Sequence, residues 1–405
     1  MRRVVVTGMA GITSMGQQWT EIEGRMRAGE TGIRYMPEWE RLTDMGIKVA
    51  GGADWFTHEG HFPRQAMRSM GRVSVMAVDA AGRALEMAGL KDDPILASGR
   101  VGVAAGSSYG STEPTVDFGA FMVTGKAGKL NATSYIRMMA HTAPVNVSVY
   151  FGIKGRIITT SSACVSGSQG VGYSVEAIQA GKADIMLAGG AEELCPTMAM
   201  VFDRLYATSK INDHTASRPF DVSRDGLVTG EGSAFLVLEE LEHALARGAK
   251  PIAEVRGFAT NADGAHISHP DGEVQAVVMR EALRDAGLSA SDLAFINGHG
   301  TATVAGDTSE AQASFEVYGD KVPFHTLKGH FGHTLGACGA IEAWLGIEML
   351  NGGWAAPIAN FKEADPRCAA LDYIDGDGRR IDGEFFASNN FAFGGINTSV
   401  IFGRA

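Results

Sequence analysis

Cysteine is scarce in this chain. Cys164, Cys195, Cys338 and Cys368 are the only four in 405 residues, and their spacing builds neither a disulfide framework nor a paired-thiol zinc or redox motif. Long apolar runs are absent too: no stretch approaches the roughly 18 continuous apolar residues of a spanning helix. The basic start, Arg2-Arg3, precedes only Val4-Val5-Val6, which is too short for the apolar core of a signal peptide. Positive charge is in deficit, with 35 Lys and Arg against 46 Asp and Glu and a net charge of −11. That balance argues against nucleic acid or an anionic membrane as the main partner. A reducing cytoplasm fits these features best.

An apolar content of 45% and a charged content of 20% describe a packed globular protein, long enough for two ordinary cores or one duplicated one. The 53 glycines gather at strand ends, as in an α/β protein with tight turns beside a site. Residues 3–8 read as a first strand and Trp19 to Met26 as a short helix. Residues 30–65 read as an irregular insertion, and Gln65 to Gly89 as an amphipathic helix. Val101–Gly106 and Ala183–Gly190 are further buried strands. The second half repeats the pattern. Ala253–Gly257 matches the first strand, Ala286-Gly287-Leu288 matches Ala88-Gly89-Leu90 at a helix end, and Thr398 to Phe402 closes the repeat. His333-Thr-Leu-Gly336-Ala-Cys-Gly339 aligns without gaps on Cys164-Val-Ser-Gly167-Ser-Gln-Gly170, placing Cys164 and His333 at equivalent elbows. Two β/α units, residues 1–250 and 251–405, should pack as two sheets with helices between and outside.

Three residues carry chemistry. Ile157 to Gly170 runs from a β-branched strand through small residues into a helix, so Cys164 sits near a helix N-terminus, where the dipole and free N–H groups favour a thiolate. A lone cysteine is more often a buried core residue, but two histidines at strand ends shift the balance. His299 lies in Asn297-Gly-His-Gly-Thr301-Ala-Thr303, and His333 in Lys328-Gly-His330-Phe-Gly-His333. Cysteine with histidine is the usual thiol-nucleophile pairing. A second histidine exceeds what hydrolysis needs and implies another charge to stabilise. His330 and His333, three apart in a glycine-rich loop with no carboxylate pattern, make a poor metal site.

These motifs, with Gly306-Asp307 and Glu310, Gly-His333-x-x-Gly-Ala with Glu342, Arg218-Pro-Phe-Asp221 and Asn389-Asn-Phe-Ala-Phe-Gly-Gly-Ile-Asn397, closely resemble the elongating, decarboxylating β-ketoacyl-acyl-carrier-protein synthases of the thiolase-like superfamily. The resemblance spans nearly the whole chain. It implies a layered αβαβα fold from two duplicated halves and a decarboxylative condensation of an acyl thioester with a malonyl thioester. It makes Cys164 the acyl-accepting nucleophile, His299 and His333 the malonyl-activating pair, and Lys328 an electrostatic support. It assigns Phe393 and Phe391 to the oxyanion site and gate, and Thr301, Thr303, Ser268 and Tyr109 to the substrate path. Arg68, Lys126 and Lys129 would dock an acidic acyl carrier protein, and no metal or organic cofactor is implied. Relatives dimerise through the region around 100–165, so a homodimer is expected, with a ketosynthase-like hetero-partner as the alternative. Cys338 and Cys368 are expected to be structural. Two positions depart from the family: Ile396 stands where Thr is usual, and Ala392 replaces a glycine. Tyr109 and Ile396 lean towards a polyketide or polyene pathway over housekeeping fatty-acid synthesis. A silent chain-length-factor subunit would lack Cys164, and an acyl hydrolase would not need His299, His333 and Lys328 together.

Overall fold

Val4–Ile12 (β1), Val101–Gly106 (β2), Ile185–Glu192 (β4) and Gly232–Glu240 (β5) are buried at every position. Strands that read as unbroken apolar or small-residue runs are those covered on both faces. In the computed structural model, which describes residues 2–57 and 61–405, they belong to one eleven-stranded sheet. Its other members are Ile157–Thr159 (β3), Ala253–Ala262 (β6), Leu293–Asn297 (β7), Pro323–His325 (β8), Asp372–Tyr373 (β9), Phe385–Ala392 (β10) and Ile396–Arg404 (β11). The order is β9-β8-β7-β10-β11-β6-β1-β5-β4-β2-β3.

The duplication is explicit in the pairing. β3, β2 and β4 run parallel, then β5 and β1 follow antiparallel. β8, β7 and β10 likewise run parallel, followed by antiparallel β11 and β6. The two expected sheets are therefore present as two half-sheets of matching topology, with β9 added at one edge. They merge because β1 and β6 pair over Val4 to Val6 against Ala253 to Val255.

Helices complete the layers. Arg72–Met87 (α1) packs on β1 and β5, while Gly272–Ala286 (α3) packs on β6, β11 and Val304–Tyr318 (α4). Ser166–Gln179 (α2) and Cys338–Gly352 (α5) lie inside, each touching strands of both halves. α5 is buried without a break from Cys338 to Ile347, which is why it is apolar nearly all round. The two inner helices cross at glycines. A Cβ on Gly167 would meet Ala340 N at 2.6 Å, and one on Gly339 would meet Ser168 N at 2.7 Å.

That symmetric contact corrects the register read from the sequence. α2 and α5 are each preceded by a single 3₁₀ turn, Ala163–Val165 and Leu335–Ala337, whose first residues share a left-handed backbone, with φ 52° and 45°. The counterpart of Cys164 is thus Gly336, and His333 sits three residues earlier, on the approach to its elbow. Glycines recur every three residues in both segments, so a slip of three preserved a glycine match. One expected helix also divides: Gln65 to Gly89 contains a 3₁₀ turn, Ala66–Ser69, and α1 starts only at Arg72. Among the described residues no helix is long and apolar enough to cross a membrane.

Candidate active site

Cys164 follows β3 and precedes α2, so the chain turns sharply around it; His299 follows β7, and His333 follows the short helix Lys328–Phe331. The three side chains converge. Cys164 Sγ and one ring nitrogen from each histidine lie within 4.8 Å of one another. His333 Nε2 is 3.0 Å from Sγ, and the two imidazoles meet edge to face with centroids 5.2 Å apart. All three residues are buried.

Hydrogen bonds set the tautomers. Leu335 N–H donates to His333 Nδ1 at 3.3 Å, so the Nε2 facing Cys164 carries the hydrogen. The Asn390 amide nitrogen lies 3.4 Å from His299 Nδ1 and donates there in the same way. A thiol and two imidazoles are soft ligands of the kind that bind zinc. Here, however, both rings turn an N–H towards the centre, which suits a developing oxyanion better than a cation.

Burial dominates the electrostatics. It drives both imidazoles well below the ordinary histidine value, and the neighbouring Lys328 charge adds to the effect. Both rings are neutral N–H donors at physiological pH. Burial also pushes the Cys164 thiol up to about 12, against the opposing pull of Lys328 and of the Phe393 and Cys164 backbone N–H groups. The expected resting thiolate is therefore corrected. The helix end and the backbone donors are present, but desolvation outweighs them. Burial opposes the Lys328 ammonium as well, yet Cys338 and Glu342 outweigh it and hold its pKa above the ordinary value. Lys328 Nζ lies 2.5 Å from Glu342 Oε1, and Glu342 Oε2 accepts the Asn390 amide at 2.6 Å.

Carboxylates hold the loops. Glu310 on α4 accepts the backbone N–H groups of His299 and Gly300 at 2.6 and 2.7 Å, and its burial raises its pKa to about 8. Asp307 accepts Phe220 and Ala302 N–H and faces Arg224. Glu192, at the end of β4, accepts the Ser107 hydroxyl and the N–H groups of Ser108 and Gly336, tying a loop of the first half to the elbow of the second. Sequence reasoning passed over Glu192. Its signal was a carboxylate closing the apolar strand after Gly189-Gly190, where an unpaired charge is costly.

A cleft of about 400 Å³ leads from the surface to Cys164, His299 and His333. Thr301, Thr303, Ser268, Phe391 and Phe393 line it. The ring of Phe393 is stacked on Phe202 at 5.4 Å beside the entrance. Tyr109 does not join them; it is exposed, with its hydroxyl 3.3 Å from that of Thr115. Arg68, Lys126 and Lys129 are exposed and likewise lie off the cleft. His330 is engaged elsewhere, with Nε2 2.8 Å from the Pro357 carbonyl oxygen. Cys368 packs in the second-half core. Cys338 is closer to the site than a merely structural residue needs to be: its thiol donates to the Cys164 carbonyl at 3.2 Å.

Comparison with known proteins agrees with this geometry. The N-terminal domain of the beta-ketoacyl synthases matches residues 1–244, and their C-terminal domain matches residues 252–362. The 3-oxoacyl-[acyl-carrier-protein] synthase 1 of Escherichia coli (strain K12) is 37% identical, over 99% of this chain and 98% of its own. A beta-ketoacyl synthase from Burkholderia phymatum STM815 superposes with a TM-score of 0.98 at 51% identity, covering all of both chains. A type II polyketide ketosynthase solved in complex with its acyl-carrier protein and bound to the hexaketide gives 0.88 at 29% identity, again over both full chains. The paired halves, the Cys-His-His centre and these matches together place the chain in the beta-ketoacyl synthase family.

Proposed function

We propose that this chain extends an acyl chain by decarboxylative condensation with a malonyl group, both delivered on an acyl carrier protein. The observation that carries the reading is the convergence of one thiol and two neutral imidazole N–H donors within 4.8 Å. In the first half-reaction Cys164 Sγ attacks the acyl thioester; the acyl–sulfur bond to the carrier breaks, and the thiol proton leaves with the carrier thiol. The backbone N–H groups of Cys164 and Phe393, both turned to Sγ, suit the tetrahedral oxyanion. In the second, the malonyl thioester oxygen sits between the two imidazole N–H groups. Loss of carbon dioxide leaves the electron pair as an enolate that these donors stabilise. Its carbon attacks the acyl group on Cys164, forming the new carbon–carbon bond and releasing the thiolate, which takes up a proton. Intact-mass analysis after incubation with acyl-carrier should show an acyl adduct on Cys164, and malonyl-carrier should then discharge it as an elongated product. Absence of the adduct overturns the reading.

Two finer readings rest on the surface. Val116, Met122, Val123, Tyr135 and Val149 are exposed, as is Ile157 on β3, an edge strand of the sheet, which supports pairing of two copies through this region; sedimentation at micromolar concentration should give a dimer mass, and a monomer excludes it. Tyr109, exposed with its hydroxyl beside that of Thr115, would line a pocket only across such a pairing. Tyr109→Ile should then shift the accepted chain length, and an unchanged profile across a panel of acyl chains rejects that role. The four unpaired thiols support a reducing, cytoplasmic setting.

A further inference from the structure

A second recess, of about 220 Å³, shares no lining residue with the cleft. Its walls include Arg25 of the helix Trp19–Arg27 and, beyond it, Ser14, Thr31, Arg34, Asp54 and Trp55. Most of its polar groups are spoken for. Arg34 pairs with Asp54, the Thr31 hydroxyl donates to the His214 carbonyl at 3.2 Å, and the Trp55 indole N–H donates to the Thr13 carbonyl at 3.0 Å. Two are not. Arg25 spends its Nε on Glu30 Oε2 at 2.9 Å, and among the described residues no hydrogen bond engages its two Nη atoms. Ser14 is only 7% exposed, yet its Oγ has no hydrogen-bond partner. Gly32 leaves the space next to that oxygen, because a Cβ there would collide with it. A buried hydroxyl without a partner is costly to keep, so an orphan on the wall of a recess points to an occupant.

The uncommitted groups define what that occupant carries. The open edge of a guanidinium presents parallel N–H donors that match a carboxylate in the bidentate manner, and the Ser14 hydroxyl adds a further donor. Trp55 is 42% exposed with its N–H already used, so it offers the flat apolar surface of its ring, and Ile33 adds an aliphatic wall. Asp54 and Glu30, beside the two arginines, oppose a second negative charge, which disfavours a phosphate. The volume lies below the roughly 300 Å³ at which pockets begin to hold drug-sized ligands, so a nucleotide does not fit.

We propose that this recess binds a small monocarboxylate with a flat apolar body, its carboxylate on Arg25 and Ser14 and its body against Trp55. Calorimetry on the full chain with benzoate and with benzamide, which share ring and shape but differ in charge, tests it. Wild type should take up one benzoate per chain about tenfold more tightly than benzamide, the scale of hydrogen bonds to a charged group. Arg25→Gln, a change at a part-exposed position outside the cleft, should erase that preference. Ser14→Ala should weaken benzoate several-fold and leave benzamide nearly unchanged. Equal affinity of wild type for the two probes, no measurable binding of benzoate, or a preference kept by Arg25→Gln overturns the proposal.

Discussion

Lys328 Nζ and Glu342 Oε1 meet at 2.5 Å with both side chains only 2% exposed. A buried pair of this kind does little for stability compared with apolar residues of equal volume, but each member is indispensable to the other. Its placement beside Cys164, His299 and Asn390 gives it a second role, because its fixed positive charge adds to burial in holding the imidazoles neutral. Lys328→Ala should cost about 3–5 kcal/mol of stability by stranding Glu342 and should abolish condensation. The double change Lys328→Met with Glu342→Leu should recover much of the melting temperature and none of the activity. If the double variant condenses, the pair is structural only.

His299 and His333 predict a split between the half-reactions. Removing one N–H donor to an oxyanion typically lowers the rate by on the order of a hundredfold to a thousandfold. His299→Ala should therefore slow carbon dioxide release from malonyl-carrier by that factor, because in the proposed condensation its N–H would hold the malonyl thioester oxygen. Acylation of Cys164, which draws on the backbone N–H groups of Cys164 and Phe393, should change little. Radiolabelled carbon dioxide release and intact-mass acylation measure the two steps. Equal losses in both would mean that His299 serves the nucleophile instead.

The convergence of Cys164, His299 and His333 was legible because each lies in a short, glycine-rich segment after an apolar strand, and because the halves repeat. The sign of the Cys164 shift was not. Helix position is a local property readable from Ile157 to Gly170, whereas desolvation depends on α5, Phe202 and the β10–β11 turn closing over the thiol. The register of the repeat slipped for the opposite reason. Local glycine spacing offered two alignments, and only the crossing of Gly167 with Ala340 and of Gly339 with Ser168 chooses between them. The role of Cys338 is also non-local, since its partner, the Cys164 carbonyl, is 174 residues away.

Glu192 makes a prediction about the joint between the halves. One carboxylate accepts from the Ser107 hydroxyl, Ser108 N–H and Gly336 N–H in a site without solvent. Glu192→Gln turns one acceptor into a donor facing a donor. That should cost about 1–3 kcal/mol, read as a lower denaturant midpoint with an unchanged slope. An unchanged midpoint would mean that the loop relaxes freely and that the bridge is dispensable.

Docking predicts a charge dependence that small substrates escape. Arg68 and Lys129 are exposed and lie off the cleft, so neither can touch a thioester bound there. Arg68→Glu with Lys129→Glu should raise the KM for carrier-borne substrates several-fold at low salt, with the gap closing as salt is added. Rates with pantetheine thioesters should be unaltered. Equal effects on carrier-borne and small substrates would remove these residues from the docking surface.

The thiol itself gives the sharpest pH test. The thiolate is the form a neutral alkylating agent captures. With the Cys164 thiol pushed up to about 12 by burial, the thiolate fraction at neutral pH is small and grows with every added unit. Alkylation of the Cys164 peptide by iodoacetamide should rise about tenfold per pH unit between pH 7 and 10, without a plateau. The same shift runs through stability. A group whose pKa is raised on folding stabilises the fold below its unfolded value and loses that contribution as pH climbs towards the folded one. Between pH 9 and about 12, therefore, wild type should lose stability that Cys164→Ala does not. Lys328→Met should slow alkylation at every pH, because the charge that favours the thiolate is gone while Glu342 remains. A rate that levels off below pH 8 would show that the helix end and the backbone donors prevail over burial, and that the resting enzyme carries its thiolate ready-made.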